Sequence, residues 1–196
     1  ARGVEPARAA WIAAWIASWM LAVSGCAAQE TPAASTREGG EARRARLERD
    51  VERLAGFGTR HTLSDTASDV RGIGAARSWL LAELEPIPRE HHGGRLACAL
   101  VPHQVEPAER VPAGAEVVNV VAELPGSDPQ RLVVVSGHYD SRAGDPMDAV
   151  SDAPGANDDA SGTAVGLECA RALAGLEPRA TGGFLWGAGA AQGRVR

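Results

Sequence analysis

The sequence contains no lysine, and all 20 of its basic side chains are arginine. These are scattered among 25 acidic side chains instead of gathered on one stripe, and the formal net charge is -5. Without a basic face the chain lacks the electrostatic footprint that phosphate backbones require, so nucleic acid is excluded as a partner. The missing lysine goes with an abundance of Ala, Gly, Arg and Pro, a codon bias of the source genome from which no chemistry is drawn. Length is limiting too: 196 residues, 44% hydrophobic and 23% charged, suffice for one globular core but not two. Cysteine is scarce. Cys98 and Cys169 sit in apolar settings far apart in sequence, and they are open to pairing in an oxidising compartment or to burial as free thiols, with nothing local favouring a bridge.

Charge is also absent from the run "AAWIAAWIASWMLAVSG", residues 9–25, which follows Arg2 and Arg8 and ends in small residues just before Cys26. This pattern is an export signal. "VSGC" resembles the bacterial lipobox, in which cleavage leaves a lipid-modified cysteine first. The alternative is an uncleaved anchor, although the run is slightly short of the ~20 apolar residues that span a bilayer. Residues 1–25 are therefore expected to be a lipoprotein signal peptide and Cys26 the lipidation site. The following "AAQETPAASTREGG" completes a flexible tether over 26–40. The remainder, 41–196, is then expected in the bacterial cell envelope, outside the cytoplasm and held to a membrane by lipid.

From residue 41 onward helical and strand patterns alternate. Leu47, Val51 and Leu54 recur at helical spacing with Gly56 after them, and Ile73, Ala76, Leu80 and Leu84 repeat the period up to Pro86. "GRLACALV", "EVVNVVAELPG" and "RLVVVSG" are β-prone runs bounded by Gly and Pro. Val165, Cys169, Ala172 and Leu173 restore the helical period, and "GGFLWGAG" reads as the next strand. Interleaving of this kind predicts an α/β sandwich with a mixed or parallel sheet. The last strand, around Phe184 to Trp186, is expected to lack part of its cover and to invite association between molecules.

The segment from Ser136 to Gly162 gathers His138 with Asp140, Asp145, Asp148, Asp152, Asp158 and Asp159. His138 and Asp140 follow directly on a strand, at the end where open α/β sheets carry their sites. On extended backbone the two side chains share a side, so Asp140 can accept a hydrogen bond from one imidazole nitrogen and leave the other for a metal. "PGANDDASG" sets Asp158 and Asp159 among small residues at a helix start. Plainer roles stand beside these: Asp158 or Asp159 as a helix N-cap, His138 as an ordinary strand-end residue, and Asp145, Asp148 and Asp152 as solvated loop charges.

Strand, "GHYDS", some twenty residues, "APGANDDASG" and helix together resemble the zinc aminopeptidases of peptidase family M28, and "GFGTRHT", "GIGAARSWL" and "NVVAELPG" extend the likeness from about Glu41 to Gly193. The resemblance implies an incomplete three-layer sandwich with a mixed, mostly parallel sheet. It implies two Zn2+ ions sharing a carboxylate and a water, with His138 as the first zinc-binding histidine, Asp140 orienting it, Asp158 bridging and a cis peptide bond to Asp159. It also implies attack on the N-terminal peptide bond of a peptide substrate, with a Glu as proton shuttle. Where the family carries consecutive Glu residues, general base then ligand, this chain has Ala190 and Ala191, followed by Gln192 and Gly193. The family's later Asp and His ligands have no counterpart before Arg196, and His61, His91, His92 and His103 do not replace them. The chain is thus expected to be an N-terminal, truncated and degenerate portion of such an enzyme, with weak or partial zinc binding and no aminopeptidase activity. Two other readings stand: a non-catalytic peptide-binding or structural lipoprotein on this scaffold, and an acidic segment that holds calcium or another hard cation.

Overall fold

A computed structural model describes residues 37–90 and 94–193. The signal segment 1–25, Cys26, the tether up to residue 36, His91, His92 and the three C-terminal residues lie outside the described residues.

Helix α1 spans Arg37–Ala55 and α2 spans Gly72–Leu84, with one short turn of helix, α3, at Ile87–Glu90. Strands follow at Ala97–Val105 (β1), Ala115–Leu124 (β2) and Asp128–His138 (β3), then helix α4 at Ser161–Leu173 and strand β4 at Ala180–Gly187. Helix α1 begins four residues earlier than the periodicity suggests and takes in Gly39 and Gly40, so the helical end of the expected tether is a correction. Two glycines weaken a helix by only ~1 kcal/mol each, less than the docked stripe further along supplies.

The sheet order is β1-β2-β4-β3. β1 with β2 and β2 with β4 run antiparallel, and only β3 with β4 is parallel. The mixed α/β sheet is as expected, but its expected parallel majority is not: among the described strands antiparallel pairings dominate. A short connection joins β1 to β2, which suits antiparallel neighbours, and only the β3-α4-β4 stretch has the crossover helix that parallel neighbours need. Among the described residues the helices cover one face of this sheet, so two layers of the expected sandwich are present.

That one-sided packing defines the core. Val120, Ala122, Leu124, Phe184 and Trp186 of the sheet meet Leu54, Ile73, Leu80, Leu84 and Leu167 of the helices, all buried. Arginine forks tie the helices together at the rim of this core. Arg46 binds Glu168 through two hydrogen bonds of 2.6 and 2.9 Å, and Arg171 reaches Asp50 and Glu83 at 2.6 Å each. The burial of Phe184 and Trp186 corrects the expectation of an uncovered last strand. β4 lies inside the sheet, and among the described strands the edges are β1 and β3, with Val133 of β3 59% exposed. Cys98 and Cys169 are free thiols, and burial raises the pKa of both.

Candidate metal centre

The parallel pair places its loops at one end of the sheet, where His138, the last residue of β3, lies in register with Gly187 of β4. Alternation along β3 turns Tyr139 into the core, where its hydroxyl donates to the Val118 carbonyl at 2.6 Å. His138 is thereby turned to the opposite face. The chain then bends so that Asp140, fully buried, returns beneath the imidazole: His138 Nδ1 lies 3.2 Å from Asp140 Oδ1. The other ring nitrogen, Nε2, lies 3.1 Å from Asp158 Oδ1, and the Asp158 side chain is 89% exposed. The structure thus brings His138, Asp140 and Asp158 together, with Asp140 on one side of the ring and Asp158 on the other.

Asp159 does different work from its neighbour. Its carboxylate accepts from the His138 backbone N–H at 3.0 Å and from Gly162 N–H at 2.9 Å, which ties the end of β3 to the first turn of α4. This combines the N-cap role with a cross-link to the strand, while Asp158 is left to face the ring. The Asp158–Asp159 peptide bond is cis. Thr163 Oγ1 adds a second tie, donating to the His138 carbonyl at 3.0 Å.

Two flanking segments complete the surroundings. The turn Ala190–Gln192 follows β4, and Ala191 N–H donates to Asp140 Oδ2 at 2.8 Å, with Thr62 Oγ1 at 3.3 Å on the same oxygen. Ala190 and Ala191 therefore sit beside the buried carboxylate, with Ala190 exposed. His61 is fully buried beneath this turn. Its Nδ1 accepts from Leu63 N–H at 3.0 Å, so Nε2 carries the proton and donates to the Pro146 carbonyl at 3.0 Å. The Gln192 amide also meets Nε2, and this tautomer requires its carbonyl oxygen as the acceptor. His61 anchors loops and is no metal donor, while His103 is exposed on β1.

Hydrogen bonding to Asp140 lifts the His138 pKa from its usual 6.5 to about 9, against the opposing effect of burial. Without a metal the ring is thus a cation at neutral pH, held between two carboxylates. A metal at Nε2 would take the place of that proton, and the carboxylate behind Nδ1 would fix the tautomer.

Among the described residues no group of three or more His, Cys, Asp or Glu is placed to hold a metal ion. His138 Nε2 and Asp158 are therefore two converging donors, one fewer than a catalytic zinc site takes from protein. The donor set fits the edge of a zinc centre. The acidic loop is otherwise engaged, which removes the support for a structural cation there. Asp145 accepts from Met147 N–H at 2.8 Å, Asp148 accepts from Val150 and Ser151, and Asp152 pairs with Arg71 at 2.8 Å.

Residues 119–186, which include His138, Asp140 and Asp158, match the model of peptidase family M28. The chain carries a peptidase family M28 segment. It is 48% identical over 136 residues to a probable zinc metalloprotease of Leptosphaeria maculans, covering 69% of this chain and 31% of that relative. The chain thus spans about a third of the length of the curated relatives it matches. Among solved structures the M28 fold is shared with a Zn-dependent exopeptidase from Parabacteroides distasonis, at a TM-score of 0.54 and 20% identity over 72% of this chain and 45% of that one. A glutaminyl cyclase from Tannerella forsythia is alike at a TM-score of 0.55 and 20% identity, over the same shares.

Sequence reasoning reached His138 and Asp140 through their place after a strand, and Asp158 through the resemblance of its segment to the family's. It missed the anchoring of the site by Thr62, Thr163, His61 and, above all, Arg60. For Arg60, His61 and Thr62 the only sequence signal is the stretch "GTRHT", whose arginine is one of many, and Thr163 is one small residue among several in "ASGTAVG".

Proposed function

We propose that this chain carries part of the active site of a zinc-dependent exopeptidase of the aminopeptidase type, and that the chain by itself does not hydrolyse peptides. The M28 segment and relatives named as zinc metalloproteases support peptide hydrolysis. The fold alone does not choose the reaction, since it is shared with a named exopeptidase and a named cyclase. His138 and Asp158 would hold zinc, and Asp140 would fix the ring for it. A zinc ion supplies Lewis-acid polarisation of a carbonyl and acidifies water.

The observation that carries the second half of the proposal is the turn after β4. It is hydrogen-bonded to Asp140, so a side chain at position 190 borders the site, and that side chain is a methyl group. Alanine neither takes nor gives a proton, and a positioned acid or base is commonly worth ~100- to 10,000-fold in rate. The same turn offers no carboxylate to add to the two donors. A scaffold that retains the orienting carboxylate and lacks the base favours a non-catalytic, peptide-binding role for this chain.

The assay is hydrolysis of an aminoacyl p-nitroanilide series with added zinc, by wild type, the double variant Ala190→Glu with Ala191→Glu, and His138→Ala as the blank. All three are expected at background, the double variant included, because the base returns without a full set of donors. Wild-type turnover that disappears with chelator and in His138→Ala would overturn the proposal.

We further propose an extracytoplasmic location with Cys26 as the lipid attachment site, on the strength of the charge-free run and "VSGC" before it. Expression in a bacterial host should place the wild type in the membrane fraction with an N-terminal lipid mass, and Cys26→Ser should lose both. Equal partitioning of the two would refute it.

A further inference from the structure

Among the described residues Arg60 is the one arginine the fold swallows whole, with no exposed surface. Its guanidinium donates only to main-chain carbonyls: Nε to Tyr139 at 2.7 Å, Nη1 to Leu54 at 2.8 Å and to Pro154 at 2.7 Å, and Nη2 to Gly155 at 3.1 Å. Those four acceptors belong to three segments. Leu54 is in the last turn of α1, Tyr139 lies between His138 and Asp140, and Pro154 with Gly155 leads into the turn that carries Asp158 and Asp159. The backbone of Arg60 joins in: its N–H donates to Ser141 Oγ at 3.0 Å, and its carbonyl accepts from Ser141 N–H at 3.1 Å. Ser141 Oγ in turn donates to the Ala153 carbonyl at 2.6 Å.

A buried guanidinium is an expensive way to fill a core, since its charge leaves water without a carboxylate fork to meet it. Burial lowers its pKa to about 10, while the nearby charges of Asp140 and Asp159 oppose that fall. What the planar fork provides, and an aliphatic side chain does not, is a fixed separation between several carbonyls at once. Gly155 is shaped to the clamp. Its φ is +46°, and a Cβ there would stand 2.8 Å from the Ser141 Cβ and 3.1 Å from Arg60 Nη2. The approach of the fork to this backbone therefore requires glycine on both counts.

We propose that Arg60 is the positioning residue of the candidate metal centre: by gripping Tyr139 on one side and Pro154–Gly155 on the other, it sets the distance between His138 and Asp158. It touches neither of those side chains and acts through the backbone on which each is mounted. The metal-affinity part of this inference rests on the zinc reading above, whereas the clamp itself does not.

The test therefore has one readout with metal and one without, on the full chain carrying Arg60→Met or Arg60→Lys. In the metal-free protein, amide hydrogen exchange is followed at Ala153 and Ala160, whose N–H groups bond to the Gly58 and Gly155 carbonyls, and at Val120 and Trp186 in the sheet. Arg60→Met should speed exchange at Ala153 and Ala160 by about tenfold or more while Val120 and Trp186 keep their rates. Arg60→Lys, with one compact cation in place of the fork, should fall between. Zinc affinity, by competition with a chromophoric chelator, should drop ~10- to 100-fold in Arg60→Met, with partial rescue in Arg60→Lys. Uniform acceleration of all four amides, unchanged zinc affinity despite local loosening, or failure of both variants to fold would overturn the proposal in favour of a purely structural arginine. Wild-type protein that binds no zinc would instead refute the zinc reading, and the exchange comparison alone would then decide the clamp.

Discussion

At the level of single residues the site is a question of where one proton sits. His138 has a folded pKa of about 9 against 6.5 for the free side chain, because Asp140 stands 3.2 Å behind Nδ1. Below pH 6.5 the ring is charged in both the folded and the unfolded chain, and the stabilising contribution of this group is fully present. Between 6.5 and about 9 the unfolded chain has released the proton while the folded one keeps it, so stability declines, and above 9 the contribution is gone. Metal-free wild type should therefore lose thermal stability from pH 6.5 to 9 relative to His138→Gln, whose melting temperature should vary less over that range. Parallel curves for the two proteins would mean that the ring is not held as a cation. His138 and Asp140 were legible in the sequence because they follow a strand two residues apart, and Asp158 because "APGANDDASG" resembles the family's segment. Arg60 was not, because burial of a charge is decided by tertiary packing, and 19 other arginines have the same local chemistry.

Among the elements, α4 and β4 carry the most demanding contact. Gly166 of α4 faces Trp186, which is buried and donates from Nε1 to the Thr163 carbonyl at 3.1 Å. A Cβ on residue 166 would lie 2.8 Å from that indole nitrogen. Alanine favours a helix by ~1 kcal/mol over glycine, but overpacking a filled core costs ~1–3 kcal/mol. Gly166→Ala should therefore destabilise by up to about 2 kcal/mol in chemical denaturation, and a stabilised variant would show that helix and sheet can separate without cost. Helices and strands were legible from their periods, with boundaries off by a few residues. Strand order was not, because the apolar run of β4 has the same appearance inside a sheet as at its edge. Its central place follows from pairing with β2 on one side and β3 on the other, both remote in sequence.

For the molecule as a whole, the helices on one sheet face and the free edge of β3 are two consequences of the same layering. Strand alternation places Val134, 39% exposed, on the same face as His138, four residues before it along β3. The family resemblance was legible because the strand, the "GHYDS" segment and the "APGANDDASG" segment survive intact. The parallel majority that the family suggested did not follow, since the described strands include one crossover. Residues far apart in sequence meet as the two proposed zinc donors, His138 and Asp158, with the Asp140 carboxylate behind the first. Competition with a chromophoric chelator measures this directly, comparing zinc affinity in wild type, His138→Ala and Asp140→Asn with circular dichroism as the check on folding. Wild type should bind zinc weakly, His138→Ala should lose binding, and Asp140→Asn should weaken it ~10- to 100-fold while remaining folded. Equal affinity in all three folded proteins would contradict the account.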